Sequence, residues 1–285
     1  MRMVTRLAYL LIGIALVGIF ATVIWAISRP RIDTVPAPAS AVLGAPDRPI
    51  RIVSYNILHN QRGRDAVIAE IRRLNPDVVF LQEAESRDVG LMSQQLDRLH
   101  MVYFPSQNLA GDASWGNAIL SKLPLYGAAS IPNPGGGSFG VWAYAVVDNK
   151  KFMLACVHLS ATWKASPLHL IESTNNRNRE LSHLRDAWTL AGSPPIVIGG
   201  DFNQMPVGNN YELMTRDWTD ALKQLKHDEP TFHDGLLQTR IDYFLASKEF
   251  TANDGAVVQS NASDHSPIWI ELLSASKPAT TRSSK

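Results

Sequence analysis

The apolar residues of this chain fall into short runs, and several of these runs end in an acid, an amide or a histidine. Runs of this kind span residues 51–56, 77–83, 153–158, 196–203 and 240–245. Their length and apolar content are typical of buried strands. Because buried strands are fixed and their ends are accessible, polar groups at several strand ends can converge on one rigid site. The pattern therefore predicts an enzyme.

Segments between the runs have the spacing of helices. Asp65 can cap a helix that continues through Leu74, because apolar side chains recur on one face of that segment. Residues 89–99 form a second predicted helix, and residues 178–190 form a third with Gly192 just beyond its end.

Two strand-like runs, residues 142–147 and 152–159, are separated by the polar residues 148–151, which is typical of a hairpin. Strand pairs joined directly therefore occur beside strands joined through helices. This mixture predicts an α/β protein with mixed sheets rather than a purely parallel one.

The N-terminus has a different pattern, because residues 7–28 carry no charge over 22 positions. A helix of that length spans about 33 Å, which matches the hydrocarbon core of a bilayer. We therefore predict a transmembrane anchor over residues 1–28. A cleaved signal sequence is the alternative, but its apolar part is usually shorter, about 7–15 residues. A buried core helix is the third interpretation, and it would need apolar surroundings on every face.

The charges beside this segment indicate its orientation only weakly, since Arg29 and Arg31 nearly balance Arg2 and Arg6. A single N-terminal anchor commonly acts as an export signal. We therefore expect a single-pass membrane protein whose catalytic domain lies on the exported side, periplasmic or extracellular.

Composition divides the rest of the chain into three parts. Residues 29–48 are rich in proline and small residues and predict a semi-extended tether. Residues 274–285 offer almost nothing to bury and predict a disordered tail. The folded catalytic domain is then expected over residues 49–273.

The overall charge gives little information about partners. Lys plus Arg number 27 and Asp plus Glu number 26, which leaves a formal net charge of +1. No global field therefore indicates a polyanionic partner, although a local basic groove remains compatible with this balance. Cys156 is the only cysteine, so no internal disulfide can form.

Oxygen donors dominate the polar residues at the strand ends and adjoining turns. Hard oxygen donors without a thiolate suit magnesium, manganese or calcium better than zinc. Each donor alone has a structural explanation, since Asp201 and Asn203, for example, could cap a turn, and only the joint placement of the donors favours a site. The candidate donors are Asn56, Glu83, Asp201, Asn203 and Asp264.

Two histidines accompany these donors. His158 ends an apolar run, and His265 follows Asp264 directly before the next strand. A lone histidine beside a strand is more often a packing residue. Here a neighbouring strand could bring Asp242 to His265, orienting the ring and raising its basicity, so that the pair could activate water.

Taken together, these segments resemble the endonuclease/exonuclease/phosphatase superfamily. This superfamily includes pancreatic-type deoxyribonuclease, exonuclease III-like abasic endonucleases, neutral sphingomyelinases and inositol polyphosphate 5-phosphatases. The resemblance covers residues 51–272, in the order of the family. The matching segments are Ser54-Tyr55-Asn56, Leu81-Gln82-Glu83, Gly116 to Lys122, Val157-His158-Leu159, Gly200-Asp201-Phe202-Asn203, Arg240-Ile241-Asp242-Tyr243 and Ser263-Asp264-His265.

The resemblance implies a four-layer α/β/β/α sandwich of two packed mixed β-sheets, with a divalent metal at one edge. It implies the following roles. Asn56, Glu83 and Asp264 would surround Mg²⁺, or Mn²⁺ or Ca²⁺ in its place, with Glu83 as the principal ligand. Asp201 would orient or deprotonate the attacking water. Asn203 and His158 would hold phosphate oxygens. His265, paired with Asp242, would act as general base or stabilise the transition state.

The substrate is less explicit. Leu58 and His158 stand where abasic endonucleases of the family often have an acid and a tyrosine, which makes that branch a poorer match. We expect a nuclease acting on DNA or RNA, with Lys122, Arg177 and Arg179 as candidate contacts to backbone phosphates.

A phospholipid or small phosphoester hydrolase is the alternative, and the aromatic residues Trp115, Phe139, Trp142 and Trp163 could then reach a membrane interface. A hypothesis from another class is an anchored protein that binds a partner without turnover. No protein partner is predicted.

Overall fold

Two β-sheets packed face to face form the centre of the protein in a computed structural model. The structure describes residues 36–97, 100–106, 115–133, 137–162 and 166–275. The predicted anchor over residues 1–28 lies outside this part of the chain. Among the helices of the described segments, none is long and apolar enough to cross a membrane.

Fifteen strands are present in the described segments. They are β1 (Val42–Leu43), β2 (Ile50–Asn56), β3 (Val78–Glu85), β4 (His100–Pro105), β5 (Trp115–Ser121), β6 (Leu125–Pro132), β7 (Ser138–Val147), β8 (Lys150–His158), β9 (Ile196–Asp201), β10 (Thr219–Asp220), β11 (Phe232–Asp234), β12 (Leu237–Thr239), β13 (Asp242–Ala246), β14 (Phe250–Val257) and β15 (Ile268–Ser274).

The helices connect these strands. They are α1 (Arg64–Leu74), α2 (Ser86–Gln95), α3 (Pro167–Leu190), α4 (Gly208–Thr215) and α5 (Ala221–Gln224), with a short 3₁₀ turn at Leu58–Asn60.

Both large sheets are mixed, as the sequence predicts. The first has the order β10-β13-β9-β8-β7-β6, and β1 also pairs with β8. Within it, β8 and β9 are parallel whereas β9 and β13 are antiparallel. The second has the order β14-β15-β2-β3-β5-β4, with β2 and β3 parallel. A separate hairpin joins β11 to β12.

Apolar side chains fill three layers of contact. Between the sheets, Phe80 from the second sheet and Phe244 from the first belong to one buried cluster. Helices α1 and α2 cover the outer face of the second sheet through a cluster that includes Ile71. Helices α3 and α4 cover the outer face of the first sheet through a cluster that includes Leu184. The order of layers is therefore helix, sheet, sheet, helix.

Several boundaries differ from the predictions. Helix α3 begins at Pro167, well before the predicted residue 178, because Ser166 caps it by accepting a hydrogen bond from the backbone N–H of His169 at 3.3 Å. Helix α2 covers Ser86–Gln95 rather than residues 89–99.

The hairpin turn is shorter than predicted. Only Asp148 and Asn149 form it, and their φ angles of 51° and 62° give the left-handed pair that closes a two-residue hairpin. The next two residues, Lys150 and Lys151, already belong to β8.

Part of the predicted tether is ordered against the first sheet. Val42 and Leu43 pair in parallel with Lys150 and Lys151 at the start of β8. At the other end of the chain, the backbone N–H of Ser274 donates to the carbonyl oxygen of Pro46 at 2.8 Å. Both ends of the described chain are therefore fixed at the edge of the sheets that lies away from the end of β8.

Candidate active site

Strand order and register bring the polar strand ends to one edge. In the first sheet, His158 at the end of β8 stands opposite Asp201 of β9, and Asp201 stands opposite Asp242 of β13. In the second sheet, Asn56 at the end of β2 stands opposite Gln82, next to Glu83. Because the sheets pack face to face, both sets of strand ends meet at this edge.

Asn56 links the two sheets across the site. Its Nδ2 group donates to Glu83 Oε1 at 3.2 Å and to Asp201 Oδ2 at 3.1 Å. Its Oδ1 atom accepts a hydrogen bond from the backbone N–H of Leu58 at 3.2 Å. The side chain is 1% exposed. Asn56 therefore orients two carboxylates in this structure, and its predicted role as a metal ligand stays a prediction.

Glu83 occupies a strained position, with a φ of 54° at an irregularity in the pairing between β3 and β5. A non-glycine residue in this region often marks a functional site. Burial would raise the pKa of Glu83. The hydrogen bond with His59, whose Nε2 lies 3.1 Å from Oε2, and the nearby His158 outweigh this effect and lower the pKa to about 2. The carboxylate is therefore ionised at neutral pH.

His265 and Asp242 form a buried pair, as the sequence predicts. Nδ1 of His265 lies 2.9 Å from Oδ2 of Asp242, and the same oxygen accepts a hydrogen bond from Thr231 Oγ1 at 2.6 Å. Burial would lower the pKa of His265, but the charges of Asp242 and Asp201 outweigh it and raise the pKa to about 10. The ring is therefore an imidazolium at neutral pH.

Asp201 lies between the two histidines. Its Oδ2 atom is 3.5 Å from Nε2 of His158 and 3.6 Å from Nε2 of His265. Its Oδ1 atom accepts a hydrogen bond from the backbone N–H of Asn203 at 2.8 Å. Burial raises the pKa of Asp201, and the positive charge of the neighbouring His265 imidazolium opposes that shift.

The remaining predicted residues frame this centre. Asn203 has a φ of 49° and donates from Nδ2 to the carbonyl oxygen of Leu159 at 3.0 Å. Asp264 is held by Ser263, whose hydroxyl lies 3.2 Å from Oδ1 of Asp264 and donates to the carbonyl oxygen of Asn56 at 2.8 Å.

These groups lie in an open cleft of about 1050 Å³. All eight predicted site residues are at this edge. Asn56 and Asp242 lie behind the cleft surface and support the others. The predicted residues that line the cleft are Glu83, His158, Asp201, Asn203, Asp264 and His265.

The donor set fits a divalent cation. Asp201, Asp242 and His265 each offer a ligand atom, and these atoms lie within 4.8 Å of one another. This buried group could hold a metal ion. The carboxylates of Glu83 and Asp264 add hard oxygen donors on the cleft surface. The described lining of the cleft contains no cysteine, so its donors suit a hard cation such as Mg²⁺.

Sequence reasoning did not identify His59, Thr231 or the role of Trp115. His59 contacts Glu83 and also packs against Trp115, with ring centroids 5.5 Å apart. Trp115 packs in turn against His158 at 5.6 Å. The position of His59 three residues after Asn56 was a usable signal. Thr231 follows no apolar run, so the sequence contains no pattern that indicates its contact with Asp242.

The basic residues expected to contact substrate have other partners. Lys122 donates to Asn75 Oδ1 at 2.9 Å, at the end of the second sheet away from the cleft. Arg177 is 4% exposed, and its guanidinium donates to the carbonyl oxygen of Ser160 at 2.9 Å. Arg179 is exposed and donates to Asn176 Oδ1 at 3.4 Å.

The aromatic residues expected at an interface are also engaged. Phe139 is 2% exposed and belongs to the cluster under α3, against which Trp142 packs. Trp163 lies outside the described residues. An interfacial role for these aromatic side chains therefore has no support from their packing.

Comparison with known proteins gives a consistent result. A family model described as the endonuclease/exonuclease/phosphatase family matches residues 53–265. No curated protein matches the chain.

Solved structures share the fold at low identity. An endonuclease/exonuclease/phosphatase from Beutenbergia cavernae is 21% identical, with a TM-score of 0.62 over 82% of this chain and 73% of that one. The human Nocturnin catalytic domain is 18% identical, with a TM-score of 0.65 over 85% of this chain and all (100%) of that one. A mannosyl-6-phosphatase from Bacteroides thetaiotaomicron is 16% identical, with a TM-score of 0.61 over 79% of this chain and 99% of that one.

Proposed function

Because this chain belongs to the endonuclease/exonuclease/phosphatase family, we propose that it hydrolyses phosphodiesters with a divalent metal ion. The observation that carries the proposal is the convergence of Glu83, Asp201 and the His265–Asp242 pair at one edge of the two sheets. A phosphodiester repels anionic nucleophiles, and its hydrolysis needs cations and fixed hydrogen-bond donors around the phosphate. The edge offers carboxylates that could hold a cation, and its histidines are fixed hydrogen-bond donors.

The metal in this proposal is Mg²⁺, with Mn²⁺ or Ca²⁺ as substitutes, held by Glu83, Asp264 and Asn56. Within the buried group, Asp242 already bonds Thr231 and His265, which favours the Glu83 side of the cleft for the ion. When bound, the cation would offset negative charge on the phosphate oxygens.

The protein's own residues divide the remaining work. An imidazolium at His265 cannot accept a proton, so its raised pKa favours stabilisation of the phosphate charge over the role of general base. Asp201, which lies between His158 and His265, is then the group that orients the attacking water. His158 and Asn203 are proposed to contact phosphate oxygens.

This proposal leaves two substrate classes, nucleic acid and phospholipid, and the lining of the cleft favours phospholipid. Nucleic acid was the expectation from the sequence, but Arg177 is the sole arginine or lysine among the described residues that line the cleft, and it is buried. Leu170, Met205, Val207 and Leu237 also line the cleft and are more than half exposed. An apolar wall beside a phosphodiester site suits a phospholipid better than a polyanion.

Membrane attachment through residues 1–28, with the catalytic domain exported, is the location that we propose. It rests on the uncharged segment 7–28.

A substrate panel tests the function. The full chain in Mg²⁺ is incubated with bis(4-nitrophenyl) phosphate, with plasmid DNA and with sphingomyelin vesicles. We expect hydrolysis of the small diester and of the lipid, and intact plasmid. Degraded plasmid with intact lipid would select the nuclease instead, and no hydrolysis of any diester would select the non-catalytic binding protein.

A further inference from the structure

His59 lies at the catalytic edge and has no part in the mechanism proposed above. Its Nε2 atom is 3.1 Å from Oε2 of Glu83, and both residues line the cleft together with Asp264. The other oxygen of Glu83, Oε1, accepts a hydrogen bond from Nδ2 of Asn56 at 3.2 Å. One oxygen of this carboxylate is therefore fixed by Asn56, and the other is next to an imidazole ring.

A strained turn of the backbone presents the His59 ring to Glu83. Leu58, His59 and Asn60 have φ angles of 47°, 51° and 57°, so three consecutive non-glycine residues adopt the left-handed conformation. Residues other than glycine avoid this conformation and usually adopt it singly. Such strain persists only where the surrounding structure fixes it. The turn is therefore maintained by contacts outside itself.

Helix α2 supplies these contacts through Asp88, which is 9% exposed. Oδ2 of Asp88 accepts a hydrogen bond from Nδ2 of Asn60 at 2.8 Å, and Oδ1 accepts one from Nη1 of Arg64 at 3.0 Å. Asn60 directly follows His59, and Arg64 is the first residue of α1. One buried carboxylate therefore fixes the end of the turn that carries His59.

The His59 ring is also fixed by an aromatic neighbour. Trp115 packs edge-on against it, with ring centroids 5.5 Å apart and an angle of 78° between the ring planes. The side chains of His59 and Glu83 are 24% and 15% exposed. Because both also line the cleft, an ion that enters the cleft can reach them.

The spacing of the two donor atoms suits ligation of one ion. An imidazole nitrogen and a carboxylate oxygen each lie about 2.0–2.2 Å from a bound first-row metal such as zinc, so two such donors at right angles are about 3.0 Å apart. The observed separation of Nε2 and Oε2 is 3.1 Å. His59 and Glu83 are therefore already placed as neighbouring ligands.

An imidazole donor changes the class of metal that a site selects. Mg²⁺ and Ca²⁺ bind oxygen donors, whereas an imidazole nitrogen suits first-row transition metals. The ligands inferred from the sequence, Asn56, Glu83 and Asp264, offer oxygen alone. His59 adds the nitrogen that distinguishes the two classes of metal.

We propose that His59 is a nitrogen ligand of the cation at Glu83, and that the site therefore binds a first-row transition-metal ion such as Mn²⁺ in preference to Mg²⁺. The inference rests on the proposed function for the presence of a cation, but metal binding itself needs no substrate. Mg²⁺ can still occupy the oxygen donors at higher concentration.

The competing explanation is that His59 only pairs with Glu83 in the metal-free protein. It would then compete with the cation for the carboxylate, and its removal would tighten metal binding. Removal of a ligand would weaken metal binding instead. The sign of the change in metal affinity therefore separates the two explanations.

Metal titrations measure this change. The full chain is treated with EDTA and dialysed, Mn²⁺ binding is followed by electron paramagnetic resonance, and Mg²⁺ binding is measured by competition with Mn²⁺. His59→Asn removes the ring, and asparagine tolerates the left-handed backbone better than most residues. His183→Ala, at an exposed position of α3, is the control.

We expect His59→Asn to raise the Kd for Mn²⁺ by at least about tenfold, as for other losses at metal sites. The Kd for Mg²⁺ should rise by less than about threefold, because Mg²⁺ gains little from an imidazole. His183→Ala should change neither value. An unchanged or lower Kd for Mn²⁺ in His59→Asn would overturn the proposal.

A spectroscopic signal tests ligation in the wild type itself. A directly bound imidazole nitrogen modulates the electron spin echo of Mn²⁺, and we expect this modulation in the wild type and its loss in His59→Asn. Absence of the modulation from the wild type, or its persistence in His59→Asn, would overturn the proposal. Failure of the wild type to hydrolyse any diester while the nitrogen signal is present would instead contradict the proposed function alone.

Discussion

The core between the sheets and the catalytic edge are built from the same strands but are held by different forces. In β9, Val197 lies in the apolar core, and four residues later Asp201 lies at the edge. In β3, Phe80 packs in the core and Glu83 faces the cleft. Apolar contacts stabilise the core, whereas hydrogen bonds and pairs of opposite charges hold the buried polar groups of the edge in place. Changes in the core should therefore reduce stability, and changes at the edge should reduce activity.

The largest expected effect is at the edge. His265→Ala removes the imidazolium that faces Asp201 and should lower hydrolysis of bis(4-nitrophenyl) phosphate by about 10²–10³-fold, the range for loss of one charge-stabilising donor. Thermal unfolding should show a folded protein. His183→Ala, at an exposed position of α3, is the control and should keep normal turnover. A His265→Ala variant that also keeps normal turnover would remove His265 from the mechanism.

The core should respond in the opposite way. Phe244 is fully buried between the sheets, and its ring lies 6.2 Å from that of Phe80. Phe244→Ala should lower the free energy of unfolding by about 3–5 kcal/mol. Urea denaturation measures this loss, and activity per folded molecule at low temperature should change little. A variant with full stability and lost activity would contradict the division between core and edge.

A smaller effect is expected for the metal requirement. Glu83→Gln keeps the shape of the side chain but removes the charge. The Mg²⁺ concentration for half-maximal hydrolysis should rise by roughly 10–100-fold, a range typical of weakened metal sites. Glu85→Gln, two residues further along β3, is the matched control. An unchanged magnesium titration for Glu83→Gln would argue against ligation by this carboxylate.

The smallest effect concerns stability against pH in the metal-free protein. The folded pKa of His265, about 10, is above the ordinary value of about 6.5. The resulting stabilisation is present in full below pH 6.5 and is lost as the pH rises towards 10. Asp242→Asn removes the carboxylate that raises this pKa.

The free energy of unfolding of the Asp242→Asn variant should therefore fall further below that of the wild type at pH 6 than at pH 10. Urea denaturation at both pH values measures this difference. A difference that does not change with pH would mean that the pair does not stabilise the imidazolium.

The sequence predicted most of the fold and the candidate site for a physical reason. Asp201, His158 and Asn56 end apolar runs, and a strand that must be buried fixes where its last residue lies. His59 was missed although it lies three residues after Asn56, because its partner Glu83 is on another strand. Thr231 was missed because it follows no apolar run, and only the fold shows its hydrogen bond to Asp242.

The start of α3 was missed for another reason. Leu168 and Leu170 are exposed in its first turn, so this part of the helix has no buried apolar face. A periodicity search detects only faces that pack against a core.

Removal and return of the metal test the central claim most directly. The full chain is treated with EDTA, dialysed, and assayed with bis(4-nitrophenyl) phosphate before and after Mg²⁺ is added. The account predicts no turnover in the metal-free protein and restored turnover in Mg²⁺, with Asp201→Asn inactive under both conditions. Undiminished hydrolysis without metal, or normal turnover by Asp201→Asn, would contradict a metal-dependent site at the edge of the two sheets.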